Sequence, residues 1–106
     1  MIKFLIKATY TPTGVAALHK VGGTNRKQAI ETMVAGMGGT VEVFYYSASE
    51  LDVYVILELP NSITAAAMAL AINASGLVSI SSTMLFTAEE IDQASRMSFD
   101  YRSPGS

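Results

Sequence analysis

Asp52 and Glu58 are the two residues of this chain best placed to handle a proton. Both stand in the run LDVYVILELP, Leu51 to Pro60, which alternates with the period of two expected of a β-strand with two different faces. Leu51, Val53, Val55, Leu57 and Leu59 point one way, and Asp52, Tyr54, Ile56 and Glu58 the other. A carboxyl group in a partly closed site has its pKa raised by desolvation and can act as general acid or base, while a nearby tyrosine or lysine steadies an oxyanion. The same parity adds Lys7 and Thr9 from Ile2–Tyr10, Ser79, Ser81 and Thr83 from Leu77–Phe86, and Glu42, Phe44 and Tyr46 from Val41–Tyr46. Tyr10 closes the first of these runs. Carboxylates, a lysine, hydroxyls and aromatic rings on one face form the composition of a small-molecule site. The plainer use of the same residues is structural, with Glu58 and Lys7 paired at a subunit interface and Asp52 capping a turn.

Two further residues stand apart from the sheet. His19, the only histidine, is chemically suited to shuttle a proton near neutral pH, although a solvated loop histidine is the commoner situation. Arg26 precedes Ile30 by four residues and therefore shares its helical stripe, where a guanidinium needs a partner or a way out to water. It is suited either to an anionic substrate at a helix start or to a tie between that start and a carboxylate or carbonyl. One histidine and no cysteine leave no ligand set for a metal and no thiol chemistry. No cofactor is expected. Gly22-Gly23-Thr24-Asn25-Arg26 lacks the spacing of a phosphate-binding loop.

These side chains need a scaffold, and its order is β-α-β-β-α-β followed by a short helix. After the first strand, residues 11 to 23 read as a semi-ordered connection holding a turn or two of helix. The first main helix is expected to start after Thr24 or Asn25 and to stop at Gly38-Gly39, with Ile30, Met33, Val34 and Met37 facing the core. Two strands joined by Ser47-Ala48-Ser49-Glu50 follow. A second helix runs from Asn61 or Ser62 to about Ser75, with Ile63, Ala66, Ala67, Leu70, Ala71 and Ala74 set toward the sheet. Its flank is also apolar, and a helix hydrophobic on most of its circumference is normally covered on most of it. A fourth strand, Leu77 to Phe86, precedes Thr87-Ala88-Glu89-Glu90, which has the spacing of a capping box.

This order is the ferredoxin-like α+β pattern, with both main helices on one face of a four-stranded antiparallel sheet. Two copies packed by their open faces would make a dimeric α+β barrel lined by polar residues. Composition agrees: of 106 residues, 50% are hydrophobic and only 15% charged, against about a quarter in soluble domains, so less open surface is expected than a free monomer has. A net charge of -2 without basic runs argues against nucleic acid. The longest uncharged span, Leu59 to Ala88, is too broken by Pro60, Asn61, Asn73 and Gly76 to cross a membrane. The start of the chain does not read as a signal peptide, so a cytoplasmic location is expected.

With its elements in place, the chain resembles the GYD-domain family of small bacterial and archaeal proteins. The resemblance rests on Tyr10 and Gly14, Arg26, Gly38-Gly39, Asp52, Glu58 with Pro60, Gly76, and Thr87 with Glu89-Glu90. It covers residues 1 to 95, leaving 96 to 106 as a tail. Where the family has its namesake Gly-Tyr-Asp, this chain has Glu50-Leu51-Asp52, and Pro60-Asn61 replaces Pro-Asp. The Gly22-Gly23 insert and His19 are atypical. The resemblance implies the dimeric α+β barrel fold and a homo-oligomer. The function expected is binding of a small organic molecule on the open sheet face, with Asp52, Glu58 and His19 as candidate acid–base residues for proton transfer, isomerisation or cyclisation. Lys7, Thr9, Tyr10, Arg26, Tyr46, Tyr54, Ser81 and Thr83 are the candidate ligand contacts. The alternative is a non-enzymatic assembly protein whose polar sheet face serves only subunit packing.

Overall fold

Alternation in four runs of the chain produces four strands, and the spaces between them are bridged by helices on one side. The computed structural model describes residues 1–48 and 50–105. Its elements are β1 (Ile2–Tyr10), α1 (Pro12–Val21), α2 (Gly23–Gly36), β2 (Thr40–Tyr46), β3 (Val53–Leu59), α3 (Ser62–Ala74), β4 (Val78–Leu85) and α4 (Ala88–Ser95). The sheet order is β2-β3-β1-β4 with every neighbouring pair antiparallel, which is the ferredoxin-like arrangement. Phe4, Ile6 and Ala8 lie opposite Leu57, Val55 and Val53 and form the floor of the core. Val34 of α2 and Ala65 and Met68 of α3 close it from above.

The connection anticipated over residues 11 to 23 is instead a full helix, α1. Thr11 accepts a hydrogen bond from Gly14 N at 3.1 Å and Pro12 occupies the first turn, two signals for a helix start that outweigh the cost of Gly14 inside it. Gly14 is needed for a different reason, since a Cβ there would run into the carbonyl oxygen of Leu77. α1 stops at Gly22, whose φ of 84° suits glycine, and α2 begins immediately at Gly23 rather than after Thr24 or Asn25. Asn25 is not a cap; its amide donates to the carbonyl of Val21 at 2.9 Å. α2 ends at Gly36, slightly before Gly38-Gly39. The capping box at Thr87 and Glu90 is formed.

Two expectations about facing directions are overturned. On α3 the sheet side is Ala65, Met68 and Ile72, while Ile63 and Leu70, expected inside, are 77% and 74% exposed. A helix apolar all round carries no stripe to choose between, so the choice fell to shape against the core. On β2 a bulge at Glu42 breaks the alternation: Val41 lies opposite Leu57, yet Val43 lies opposite Ile56. Beyond it, Phe44 pairs with Val55 and Tyr46 with Val53, so both rings pack on the helix side and not on the open face.

The chain beyond β4 stands away from the body. α4 packs substantially against no other element, and Phe86, Ile91, Met97, Phe99 and Tyr101 are exposed, Phe99 to 80%. The radius of gyration is 17.0 Å, against about 13 Å for a compact domain of this length.

Candidate functional site

The strand register places most of the expected polar residues on one face. Lys7 lies between Tyr54 of β3 and Ser81 of β4, Leu5 lies opposite Thr83, and Thr9 lies opposite Ser79. Lys3 lies opposite Glu58 and belongs to the same face. Both α2 and α3 pack on the other side of the sheet, and the charged side chains here are already paired. Lys3 Nζ is 3.0 Å from Glu42 Oε2 and 3.7 Å from Glu58 Oε1. The hydrogen bond to Glu42 raises the pKa of Lys3, and the same bond lowers that of Glu42. Glu58 thus pairs with Lys3 rather than with Lys7.

Lys7 turns to Asp52, with Nζ 3.5 Å from Oδ2. Asp52 is only 3% exposed, and its other oxygen, Oδ1, is buried with no hydrogen-bond partner. The turn leading to it is constrained, because Leu51 adopts φ 54°, in the left-handed region that disfavours a residue with a Cβ. Asp52 is tied to the hairpin through its carbonyl, which accepts from Ser47 N at 2.6 Å. His19 is exposed on α1 and bonds to neither Asp52 nor Glu58. The three candidate acid–base residues are therefore not brought together.

A concavity lies on the opposite side of the sheet. α2 leans on β2 and α3 on β4, and the two helices hardly touch, leaving a cleft over the central strands. Ile6, Ala8, Val53 and Val55 form its floor, Ile30 and Met33 of α2 one wall, and Met68 and Ile72 of α3 the other. An inner cavity of about 40 Å³ adjoins an outer groove of about 330 Å³ that reaches Gly14, Ala17 and Leu77, and Tyr10, Arg26, Met33, Ile72 and Val78 line both. Arg26 is the only charged residue in either lining. Its Nε is buried without a hydrogen-bond partner, and among the described residues no carboxylate pairs with it. Tyr46 stands near, its hydroxyl donating to the carbonyl of Gly23 at 3.0 Å. Burial pushes the Tyr46 phenol above its ordinary value, Tyr10 adds to this, and the Arg26 charge opposes it.

Of the residues anticipated at one site, Lys7, Tyr54, Thr9, Ser81, Thr83, Asp52 and Glu58 gather on or at the open face, whereas Tyr10, Arg26 and Tyr46 gather at the cleft. Met68 and Ile72 are cleft residues that the sequence did not single out, Met33 is one expected only to face the core, and Phe44 is one expected on the open face. A signal for them existed in Arg26, a cation on the core-facing stripe of a helix with no acid in its first turn. Among the described residues there is no cluster of three or more metal-ligating side chains, and no helix is long and apolar enough to cross a membrane.

Sheet order, helix placement and the bulged second strand define a ferredoxin-like α+β domain with one uncovered face. The GYD domain model matches residues 4–95, most of the chain, and the chain belongs to the GYD-domain family. Neither curated proteins nor solved structures give a match.

Proposed function

We propose that this chain is a homodimeric small-molecule-binding protein whose copies associate through the open sheet face and whose ligand sits in the helix-side cleft. The observation that carries the dimer is surface. A monomer of 11.3 kDa normally exposes about 5,700 Å². This chain exposes 7218 Å², an excess of about 1,500 Å², more than the ~800 Å² that each partner buries in a standard interface. The uncovered sheet face and the exposed Phe86, Ile91, Met97, Phe99 and Tyr101 beyond β4 are surfaces that a second copy can cover. Light scattering after size exclusion at micromolar concentration is expected to give twice the chain mass; a monodisperse particle of 11.3 kDa overturns the dimer.

The ion pairs on the open face favour packing over catalysis there, because Asp52 and Glu58 already hold lysines of their own chain. Asp52→Asn and Glu58→Gln are therefore expected to weaken the dimer and to leave ligand-induced thermal stabilisation in place. Loss of that stabilisation with the dimer intact would move the ligand to the open face and restore these carboxylates as acid–base candidates.

A further inference from the structure

Arg26 defines what the cleft can hold. A guanidinium has five donors in a fixed fork, and burying a charged donor unpaired is costly. Here Nε is buried and unbonded, on the wall of a cavity whose other lining is almost wholly apolar. No acid in the first turn of α2 compensates for it. Of the nearby hydroxyls, that of Tyr10 can donate to an oxygen as well as accept from Arg26, whereas that of Tyr46 already gives its proton to the Gly23 carbonyl. The chain has thus put one positive charge at the mouth of a greasy slot and left it uncompensated.

We infer that the cleft takes an amphipathic monoanion, its apolar body in the outer groove along Met33, Ile72 and Val78 with its tip at the inner cavity of Ile6, Val55 and Met68, and its carboxylate-type head against Arg26 and Tyr10. This inference rests on the cleft being the ligand site. A single cation favours a single charge over a phosphate dianion, because no second lysine or arginine lines either part of the cleft. The two methionines have flexible, polarisable side chains that adapt to the shape of a guest. The outer groove, about 330 Å³, falls at the small end of ligand pockets, so a short chain or one ring is the fitting size.

The test is calorimetric titration of the full-length protein with octanoate, octan-1-ol and octylamine, with methyl chemical shifts of Ile6, Ile30 and Val55 reporting position. Octanoate is expected to bind at least tenfold more tightly than octanol, and octylamine more weakly than either. Arg26→Gln should weaken octanoate by roughly 10- to 150-fold, as expected for a charge-assisted hydrogen bond, and leave octanol unchanged. Arg26→Lys should recover part of the loss. Equal binding of octanoate and octanol to the wild-type protein overturns the head-group assignment while the cleft stands as the site, and this comparison needs no variant to fold. Failure of both to move the cleft methyls removes the cleft as the ligand site altogether.

Discussion

Deleting Glu42 should cost far less than deleting Tyr45 from the same strand, because Glu42 is the residue that the ladder leaves over. It lies between the Val41–Leu57 and Val43–Ile56 pairs as the extra residue of the bulge. Without it the pairs Val41–Leu57, Val43–Ile56 and Phe44–Val55 follow one another without a gap, so no face is reversed and Phe44 and Tyr46 stay on the helix side. Loss of Tyr45 has no such remedy, since a slip of one reverses the faces beyond it. If the bulge is kept, Tyr46 comes to lie opposite Tyr54 on the open face; if the bulge is given up, Phe44 takes that place and Val43 turns inward. Either way one ring leaves the helix side, at about 1.5–3 kcal/mol for a ring fully lost from burial, a large part of the roughly 5–15 kcal/mol that holds a domain together. Tyr45 itself is 71% exposed, so its own side chain adds little to that loss. Urea unfolding reads the difference directly: with a slope of about 1–2 kcal/mol/M the midpoint of the Tyr45 deletion should fall by roughly 1–2 M, and that of the Glu42 deletion should move little. Glu42→Ala is the control, as it removes the ion pair to Lys3 but keeps the bulge. A Glu42 deletion that unfolds where the Tyr45 deletion does would refute Glu42 as the spare residue of the ladder.

Three other outcomes are expected. Leu51→Asn should raise stability by up to about 1 kcal/mol in thermal unfolding, since asparagine tolerates the left-handed φ of 54° better than leucine does, and a loss of stability would show that the Leu51 side chain matters more than its backbone. Gly14→Ala should lower stability by about 1–3 kcal/mol, because the new Cβ meets the Leu77 carbonyl and must push α1 away from the segment that leads into β4; an unchanged melting temperature would contradict that close approach. The Lys3–Glu42 pair should support the fold only within a pH window. The lowered carboxyl of Glu42 contributes above its ordinary 4.5 and loses that contribution as pH falls through its folded value. The raised amine of Lys3 contributes below its ordinary 10.5 and loses that contribution as pH rises through its folded value. Glu42→Gln should flatten both arms of a stability–pH profile, and a profile identical to wild type would assign the arms to other groups.

Much of the architecture was legible from local pattern. Alternation in β1 and β3 assigned Phe4, Ile6, Val53, Val55 and Leu57 to the core and Lys7, Tyr54 and Glu58 to the other face, and the register agrees. The Thr87–Glu90 capping box and the stop of α3 near Ser75 were equally readable, because caps are made by residues adjacent in sequence. Arg26 stood out for the same reason, as a charge on an apolar stripe. The partners of the lysines were not legible: Lys7 reaches Asp52 and Lys3 reaches Glu58, a choice made by strand register.

What the sequence determined by itself was the alternation of faces and the order of elements, since both follow from the local geometry of strands and helices. Only tertiary packing decided that Phe44 and Tyr46 turn inward past Glu42, that α3 presents Met68 and Ile72 rather than Ile63 and Leu70, and that α2 and α3 part to leave a cleft beside Arg26. A bulge and the rotation of an apolar helix change little in local propensity. They change which side chains fill the space between layers, and that choice is made by the shape of the whole core.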